Sequence, residues 1–258
     1  MRTRLLSTLL LILAAAAPAT AELRFVTRMD VTRSASGASP MAAALGNTLA
    51  QLAPDGPVEI TILVGANGLR AEAGKAAMGM PAGAITIITP GGELIVMNAA
   101  AKTYWKMPTP DIAAAMAIAG VHMRSTVAPA VAAEAILGVP TERTTFEVKM
   151  ELAMLAQMPP EARQQMAAME KDMVMHGEVW TAVGRFDQYA PILKKSSLDA
   201  LAAFGLADVI RNFTMKSVMR VGGVEMRSEV VKIAEEAVPA SMFTVPAGYT
   251  EVPAPGGR

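Results

Sequence analysis

The chain has 258 residues, 23 basic and 23 acidic side chains, and no cysteine. The lack of cysteine excludes disulfides, thiol catalysis, cysteine-based metal sites and acylation of an N-terminal cysteine. The net charge of zero leaves no electrostatic footprint for nucleic acid or for an anionic membrane surface. Methionine is unusually frequent, with 20 residues against 6 phenylalanines, so we expect a core biased toward flexible side chains.

The N-terminus has the three parts of a secretory signal peptide. Arg2 and Arg4 precede an apolar run from Leu5 to Ala17, and Ala19-Thr20-Ala21 forms a small-x-small cleavage site. The run is too short to span a bilayer as a mature helix. We therefore expect cleavage after Ala21 and a soluble periplasmic protein, without a lipid anchor, that begins at Glu22. No later segment reaches the length of a membrane span, which predicts no integral membrane segment in the mature chain.

The first half of the mature chain is predicted to form antiparallel strands. Apolar and polar residues alternate over Leu23 to Thr32 and over Val58 to Val64, which is the pattern of half-buried strands. Asn67-Gly68 supplies a tight turn after the second of these strands. Pro90-Gly91 joins two further strands, and proline followed by glycine at the centre of a turn predicts type II.

Helices are predicted between the strands, because alanine-rich runs and capping residues recur there. One helix starts at Thr109-Pro110-Asp111, where threonine caps, proline suits the first turn and aspartate complements the helix dipole. The predicted helices cover residues 41–52, 109–119, 159–171 and 198–212. Further strands are expected within 121–152 and over 173–182.

The best-specified element is a hairpin with a two-residue loop at Gly222-Gly223. This loop sets a register in which Arg220 faces Glu225 and Lys216 faces Glu229, so one choice yields two opposite-charge pairs. A slip by one residue would turn the apolar side chains to the charged face. The apolar face carries the candidate ligand-lining residues, which are Met215, Met219, Val221, Val224, Met226 and Val230.

No motif in the chain indicates catalysis. His122 and His176 are far apart, neither has metal-ligand spacing, and no nucleophile motif occurs. We therefore predict a protein that is not an enzyme, with no catalytic residues, no metal ligands and no cofactor. Met166, Met169 and Met173 recur at helical spacing and Met175-His176 follow, a set that suits Cu(I). The same spacing is typical of the core face of an amphipathic helix, so soft-metal buffering is an alternative function.

Four stretches of the chain, taken together, resemble a known family. They read ITILVGANGLRAE, ELIVMNAAAKTYWKMP, AILGVPTERTTFEVKME and ASMFTVPAGYTEV. In this order they resemble a family of uncharacterised secreted bacterial proteins, whose fold is similar to the periplasmic lipoprotein carrier (LolA-like) and sigma-factor regulator folds. The matched positions are Arg70, Lys102, Thr103, Tyr104, Phe243, Pro246, Gly248 and Tyr249. Relatives often carry cysteine after the Ile-x-Gly element, where this chain has Thr141.

The resemblance implies an α+β fold, in which a strongly curved antiparallel sheet, an unclosed half-barrel, has helices covering its concave face. We expect a signal peptide at 1–21, one LolA-like domain at 22–252 with a helical insertion at 157–171, and a disordered tail at 253–258. In lipoprotein carriers the space between sheet and helices accepts acyl chains.

The function expected from this resemblance is binding of an apolar ligand, either an acyl chain or a lipid-modified protein segment. An envelope module that docks or senses a partner protein is the alternative, since a fold alone does not determine a function. Nucleic acid is not an expected partner.

Overall fold

A computed structural model describes residues 21–33, 56–76, 82–107, 121–152, 159, 174–193, 206, 209, 213–221 and 223–254. Strands account for most of these residues, and all thirteen belong to one sheet. The strands are β1 (Ala21–Arg33), β2 (Val58–Gly65), β3 (Gly68–Ala73), β4 (Ala84–Ile88), β5 (Leu94–Asn98), β6 (Thr103–Met107), β7 (Val121–Val127), β8 (Val131–Ile136), β9 (Val139–Leu152), β10 (Val174–Ala182), β11 (Thr214–Val221), β12 (Val224–Ala237) and β13 (Thr250–Glu251).

The sheet is open, because its strands follow one path with two ends. The order is β13-β6-β5-β4-β3-β2-β1-β12-β11-β10-β9-β7, and β8 pairs with the first part of β9. Every pairing is antiparallel except that of β13 with β6. Short 3₁₀ segments lie at Asp187–Tyr189 and Ala240–Phe243. Within the described part of the chain, none of the helical segments is long and apolar enough to cross a membrane.

Strand β1 lies in the middle of the path and pairs on both sides. Leu23 faces Val64 of β2 across one ladder and Glu235 of β12 across the other. The predicted alternation is confirmed, because Leu23 and Phe25 are buried whereas Arg24 is exposed. From Leu23 to Arg28, one side of β1 therefore enters the core and the other side is more exposed to solvent.

The main core, which we call the aromatic cluster, collects side chains from the centre of the sheet and from the segments that flank β10 and β11. Phe213 sits at its centre, with its ring perpendicular to that of Phe25 at 4.8 Å between centroids and edge-on to Phe186 at 5.2 Å. Such edge-to-face pairs add about 0.5–1.5 kcal/mol beyond their buried area. The buried members are Leu23, Phe25, Val64, Leu69, Ile136, Val139, Trp180, Ala182, Phe186, Tyr189, Phe213, Met215, Val218 and Val230.

The closing hairpin has the predicted register. Val221 pairs with Val224, which leaves the predicted two-residue loop, and Arg220 lies opposite Glu225. The Arg220 guanidinium donates to the Glu225 carboxylate at 2.6 Å.

The second charge pair of this hairpin is correct in register but not in contact. Lys216 lies opposite Glu229. Its ammonium instead donates to Glu134 of β8 at 3.3 Å and lies 4.4 Å from the centre of the Trp180 ring. A flexible lysine stem reaches past its cross-strand neighbour when a carboxylate and an aromatic face lie together nearby.

Two predicted turns are present with a different geometry. Gly65 pairs with Gly68, so the loop after β2 consists of Ala66-Asn67 and starts one residue earlier than expected. At the second turn the amide of Gly92 donates to the Thr89 carbonyl at 2.8 Å. Gly92, and not Gly91, has a positive φ of 86°. A type II turn would require the positive φ at Gly91, so the prediction of type II is wrong.

The predicted α+β fold class is wrong, because the described residues are nearly all β and show no helical layer over the sheet. Aromatic side chains from connections cover the apolar face where helices were expected. Phe186 and Tyr189 come from the segment after β10, and Phe213 comes from the residue before β11. Loop aromatics bury large areas without helical periodicity, so the sequence pattern did not reveal this cover.

Several predicted segments lie outside the described residues. They are the leader up to residue 20, the helices predicted at 41–52 and 109–119, nearly all of 159–171 and 198–212, the remainder of the insertion at 157–171, and the tail from 255.

We predict that Gly177→Ala destabilises the protein by about 1–3 kcal/mol, the usual cost of overpacking a filled core. A Cβ at Gly177 would lie 2.0 Å from Cζ of Phe146, which faces it across β9 and β10. Urea unfolding measures the effect. Gly91→Ala is the matched control, because its Cβ would meet only the Thr89 hydroxyl at 3.7 Å. An unchanged midpoint for Gly177→Ala would contradict the packing described here.

Candidate apolar binding face

A second core cluster lies on strands β7, β9, β10 and β11, and methionines surround it. We call it the methionine cluster. Its buried members are Phe146, Val148, Val179, Leu206 and Val209, and its partly buried members are Met123, Met175 and Met219. Thioether side chains are flexible and polarisable, so this cluster can adapt its shape where the aromatic cluster cannot.

Cross-strand pairing places the elements of the methionine cluster. Met219 of β11 lies opposite Gly177 of β10 on one side and opposite Met226 of β12 on the other. Phe146 of β9 faces Gly177 from the next strand, and its ring fills the space that a side chain there would take. The glycine thus leaves room for the end of the Phe146 ring, in the way that aromatic residues pair with glycine in neighbouring strands.

The six predicted ligand-lining residues do not gather in one place. Met215 and Val230 are buried in the aromatic cluster, and Val224 is buried near the hairpin loop. Met219 belongs to the methionine cluster. The remaining two, Val221 and Met226, are half-buried on the same hairpin.

Sequence reasoning missed three important members of this face, which are Met123, Phe146 and Met175. The signal available was alternation in β10, where Met175, Gly177 and Val179 share one face. Only the pairing of β9 with β10 brings Phe146 to this place, and that pairing is not readable from either strand alone. Leu206 and Val209 come from the segment predicted as a helix at 198–212, whose other residues lie outside the described ranges.

Met175 and His176, which the copper alternative combines, are on opposite sides of β10, because neighbouring residues on a strand point to opposite faces. Met175 packs on the methionine cluster, whereas Nδ1 of His176 lies 3.5 Å from a carboxylate oxygen of Glu147. Across the described ranges, no group of three His, Cys, Asp or Glu side chains is arranged to hold a metal ion. The methionines at 166, 169 and 173 are outside those ranges.

The opposite face of the same strands carries a network of ion pairs. The Arg220 guanidinium contacts Glu225 at 2.6 Å and Glu178 at 3.2 Å. Arg227 contacts Glu225 at 2.5 Å, and Arg143 contacts Glu178 at 3.5 Å. Hydrogen bonds from Arg227 and Arg220 lower the pKa of Glu225. The hydrogen bonds that Arg220 makes with Glu225 and Glu178 raise its own pKa.

Two of the positions that carry the family resemblance, Arg70 and Tyr104, connect the C-terminal segment to the sheet. Arg70 donates from Nη1 to the Met242 carbonyl at 3.2 Å, which ties β3 to the 3₁₀ segment at Ala240–Phe243. Tyr104 donates from its hydroxyl to Glu251 at 2.8 Å, and this bond raises the pKa of the tyrosine. These residues therefore have a structural role in the described fold.

Two grooves formed by described residues are lined by side chains other than the six predicted residues. The first has a volume of about 210 Å³ and is lined by Arg24, Thr61, Leu63, Arg70, Glu72, Glu236, Ala237, Val238, Pro239 and Met242. The second has a volume of about 370 Å³ and is lined by Thr126, Ala128, Thr145, Phe146, Glu147, His176, Gly177, Glu178 and Arg220. The arginines of both grooves are already paired with glutamates, so neither groove offers an uncompensated charge to a ligand.

Comparison with known proteins adds a family match for part of the chain. Residues 177–249, which are less than half of the chain, match the family described as "Domain of unknown function (DUF4412)". This range starts in β10 and includes the closing hairpin and the C-terminal motif. None of the curated proteins matches the chain.

A solved structure of PNGF-II in the C2 space group is similar at 10% sequence identity and a TM-score of 0.41. The match covers 92% of this chain but only 31% of PNGF-II, so the chain spans less than a third of that protein's length. A likeness at this level determines neither fold nor activity. These matches do not confirm the LolA-like assignment.

We predict that Glu225 contributes to stability above about pH 4.5 and that this contribution is lost as the pH falls. The folded state lowers the pKa of Glu225 from the ordinary value of 4.5, so protonation at acidic pH favours the unfolded chain. Urea unfolding of Glu225→Gln between pH 6 and pH 3 should show a smaller loss of stability than the wild type. Glu142→Gln, at an exposed position of β9, is the control and should keep the wild-type profile. Identical profiles for Glu225→Gln and the wild type would contradict the prediction.

Proposed function

We propose that the protein is an exported, soluble periplasmic binding protein that holds an apolar ligand against the methionine cluster. The ligand class is an acyl chain or the lipid-modified segment of a protein. The observation that supports this proposal is the partial burial of Met123, Met175 and Met219 around buried Phe146, because their remaining accessible surface is apolar and adaptable.

The contrast between the two core clusters supports this location. The aromatic cluster contains three phenylalanines held in edge contacts, which is a rigid arrangement. The methionine cluster combines one such ring with three unbranched side chains that can change rotamer. Surfaces that bind apolar ligands of varied shape use methionine in this way. An acyl chain would gain about 0.8 kcal/mol for each methylene that it buries there.

The opposite face of the sheet supports the same choice of side. Near the hairpin loop it carries the ion pairs of Arg220, Glu178 and Glu225, whereas none of these pairs lies on the face with the methionines. A ligand without charge is therefore expected on the face that carries the methionines. The net charge of zero also fits a ligand recognised through apolar contact rather than through long-range attraction.

An envelope interaction module is the second candidate, and the edge of the sheet favours it. Val127 at the end of β7 is 40% exposed and Val131 at the start of β8 is 51% exposed. Both flank Pro129 along the same side of β9. Exposed strand edges bind extended segments of other proteins through main-chain hydrogen bonds. Pro129 lies between the two valines and counts against this candidate, because proline has no main-chain N–H to donate to an added strand.

We predict saturable binding of a fluorescent fatty-acid probe to the folded protein. Met219→Gln keeps the length of the side chain but adds an amide to an apolar site, so the affinity should fall about tenfold, which equals about 1.4 kcal/mol. Met107→Gln is the matched control, since this methionine is 39% exposed on β6 at the other end of the sheet. Titration by fluorescence measures both variants.

The outcomes separate the two candidates. Loss of affinity in Met219→Gln alone, with an unchanged unfolding midpoint, supports the apolar site. Equal loss in both variants would place the probe elsewhere and contradict the site. If the wild type binds no probe and carries no lipid after purification from a periplasmic extract, the ligand-binding proposal fails and the docking candidate takes its place.

A further inference from the structure

The start of β1 is held in the sheet from its first residues. Ala21 pairs with Ala237, and Glu22 pairs with Glu236, both on β12. One residue later Leu23 enters the second ladder, with β2. The Glu22 side chain is fully buried, with no accessible surface. The peptide bond between Ala21 and Glu22 is therefore inside a paired strand.

Gly65 of β2 provides the space in which the Glu22 side chain lies. A Cβ on Gly65 would be 0.7 Å from Oε2 of Glu22 and 1.7 Å from its Cδ. Any residue other than glycine at position 65 would occupy the same volume as this carboxylate. The Glu22 side chain therefore fills the space that glycine leaves open on β2, and we call this packing of Glu22 against Gly65 the anchor.

We infer that the Ala21–Glu22 bond is a processing site that is accessible only before β1 docks, and that the Glu22–Gly65 anchor protects it afterwards. Processing is hydrolysis: water adds to the Ala21 carbonyl carbon, the C–N bond breaks, and the leader leaves with a carboxylate on Ala21. The new amino group on Glu22 takes up the proton and starts the mature chain. This inference uses the export half of the proposed function and is independent of the ligand.

The physical reason is the conformation that a peptidase requires. A protease binds several residues around the scissile bond in an extended form with free main-chain groups, which a strand already paired within a sheet does not offer. Cleavage of the folded precursor would need local opening at Ala21 and Glu22. When opening and reclosing are fast, the rate of cleavage falls in proportion to the open fraction.

The consequence for the fold is an order of events. Strand β1 joins β2 to β12, and its first residues cannot pair in the sheet and lie in the active site of a peptidase at the same time. In the exported chain, removal of the leader therefore comes before β1 completes its pairing.

The experiment compares one full-length chain in two states. The precursor is made by translation in vitro without membranes, purified in urea, and diluted either directly into purified signal peptidase or after time to refold. Intact mass follows the appearance of the product that begins at Glu22. We expect the refolded precursor to be cleaved at least about tenfold more slowly than the freshly diluted one.

The anchor is tested with Gly65→Ala, for which we expect the refolded precursor to lose its protection. Gly91→Ala is the matched control and should remain protected, since its Cβ meets nothing closer than 3.7 Å. If circular dichroism shows that Gly65→Ala does not fold, the double variant Glu22→Ala with Gly65→Ala removes the clash together with the anchor. This double variant should fold, and its refolded form should be cleaved faster than the refolded wild-type precursor.

Each result has a defined meaning. Equal cleavage of refolded and freshly diluted wild-type precursor would overturn the inference while leaving export intact. Cleavage at another bond, or none in either state, would overturn the processing site and the export proposal together. Full protection in a folded variant that lacks the anchor would overturn the role of Glu22 and Gly65.

Discussion

The pairing of β1 on both sides is the constraint on which the sheet depends. The strands β2 to β6 and β13 lie on one side of it, and β12 to β7 lie on the other. The partners of Leu23 are at positions 64 and 235, so this strand brings together parts of the chain that are far apart in sequence. Long-range pairing of this kind is slow to form, because the chain loses the entropy of closing large loops before the contacts that compensate for this loss have formed.

The two faces of the strands around β11 differ in chemistry, since one carries apolar packing and the other carries ion pairs. On one face, Met219 and the other flexible methionine side chains pack against the buried residues of the methionine cluster. On the other face, Arg220 joins two glutamates of different strands. Exposed ion pairs add little free energy, about 0–1 kcal/mol each, but a one-residue slip would move charges into the apolar face. The charged face thus specifies the register in which the methionines meet.

Local patterns predicted the parts of the fold that depend on neighbours in sequence. The loop at 222–223 sets the register of the closing hairpin, and Arg220 meets Glu225 as the alternation requires. The partner of Lys216 was not predictable in this way. Glu134 is far from it in sequence and comes into reach only because β8, β9, β10 and β11 lie in order across the sheet.

The parts that were missed depend on contacts without a period. Phe213 covers Phe25 from a connection, and a single aromatic residue outside a strand gives no pattern from which its partner can be read. The same holds for Phe146, which fills the space above Gly177. The resemblance implied that helices cover the sheet. In the described residues, aromatic side chains from the connections, such as Phe186, Tyr189 and Phe213, pack on it instead.

The parallel pairing of β13 with β6 has a consequence for association between molecules. β13 occupies the edge at Thr103 and Tyr104, which leaves only three residues of β6, from Trp105 to Met107, without a neighbour on that side among the described strands. Three residues are the lower limit of ordinary strand length, so this edge offers only a very short ladder to another molecule. A filament of sheets stacked edge to edge needs two usable edges on every molecule, so blocking one of them restricts edge pairing to a closed two-fold pair.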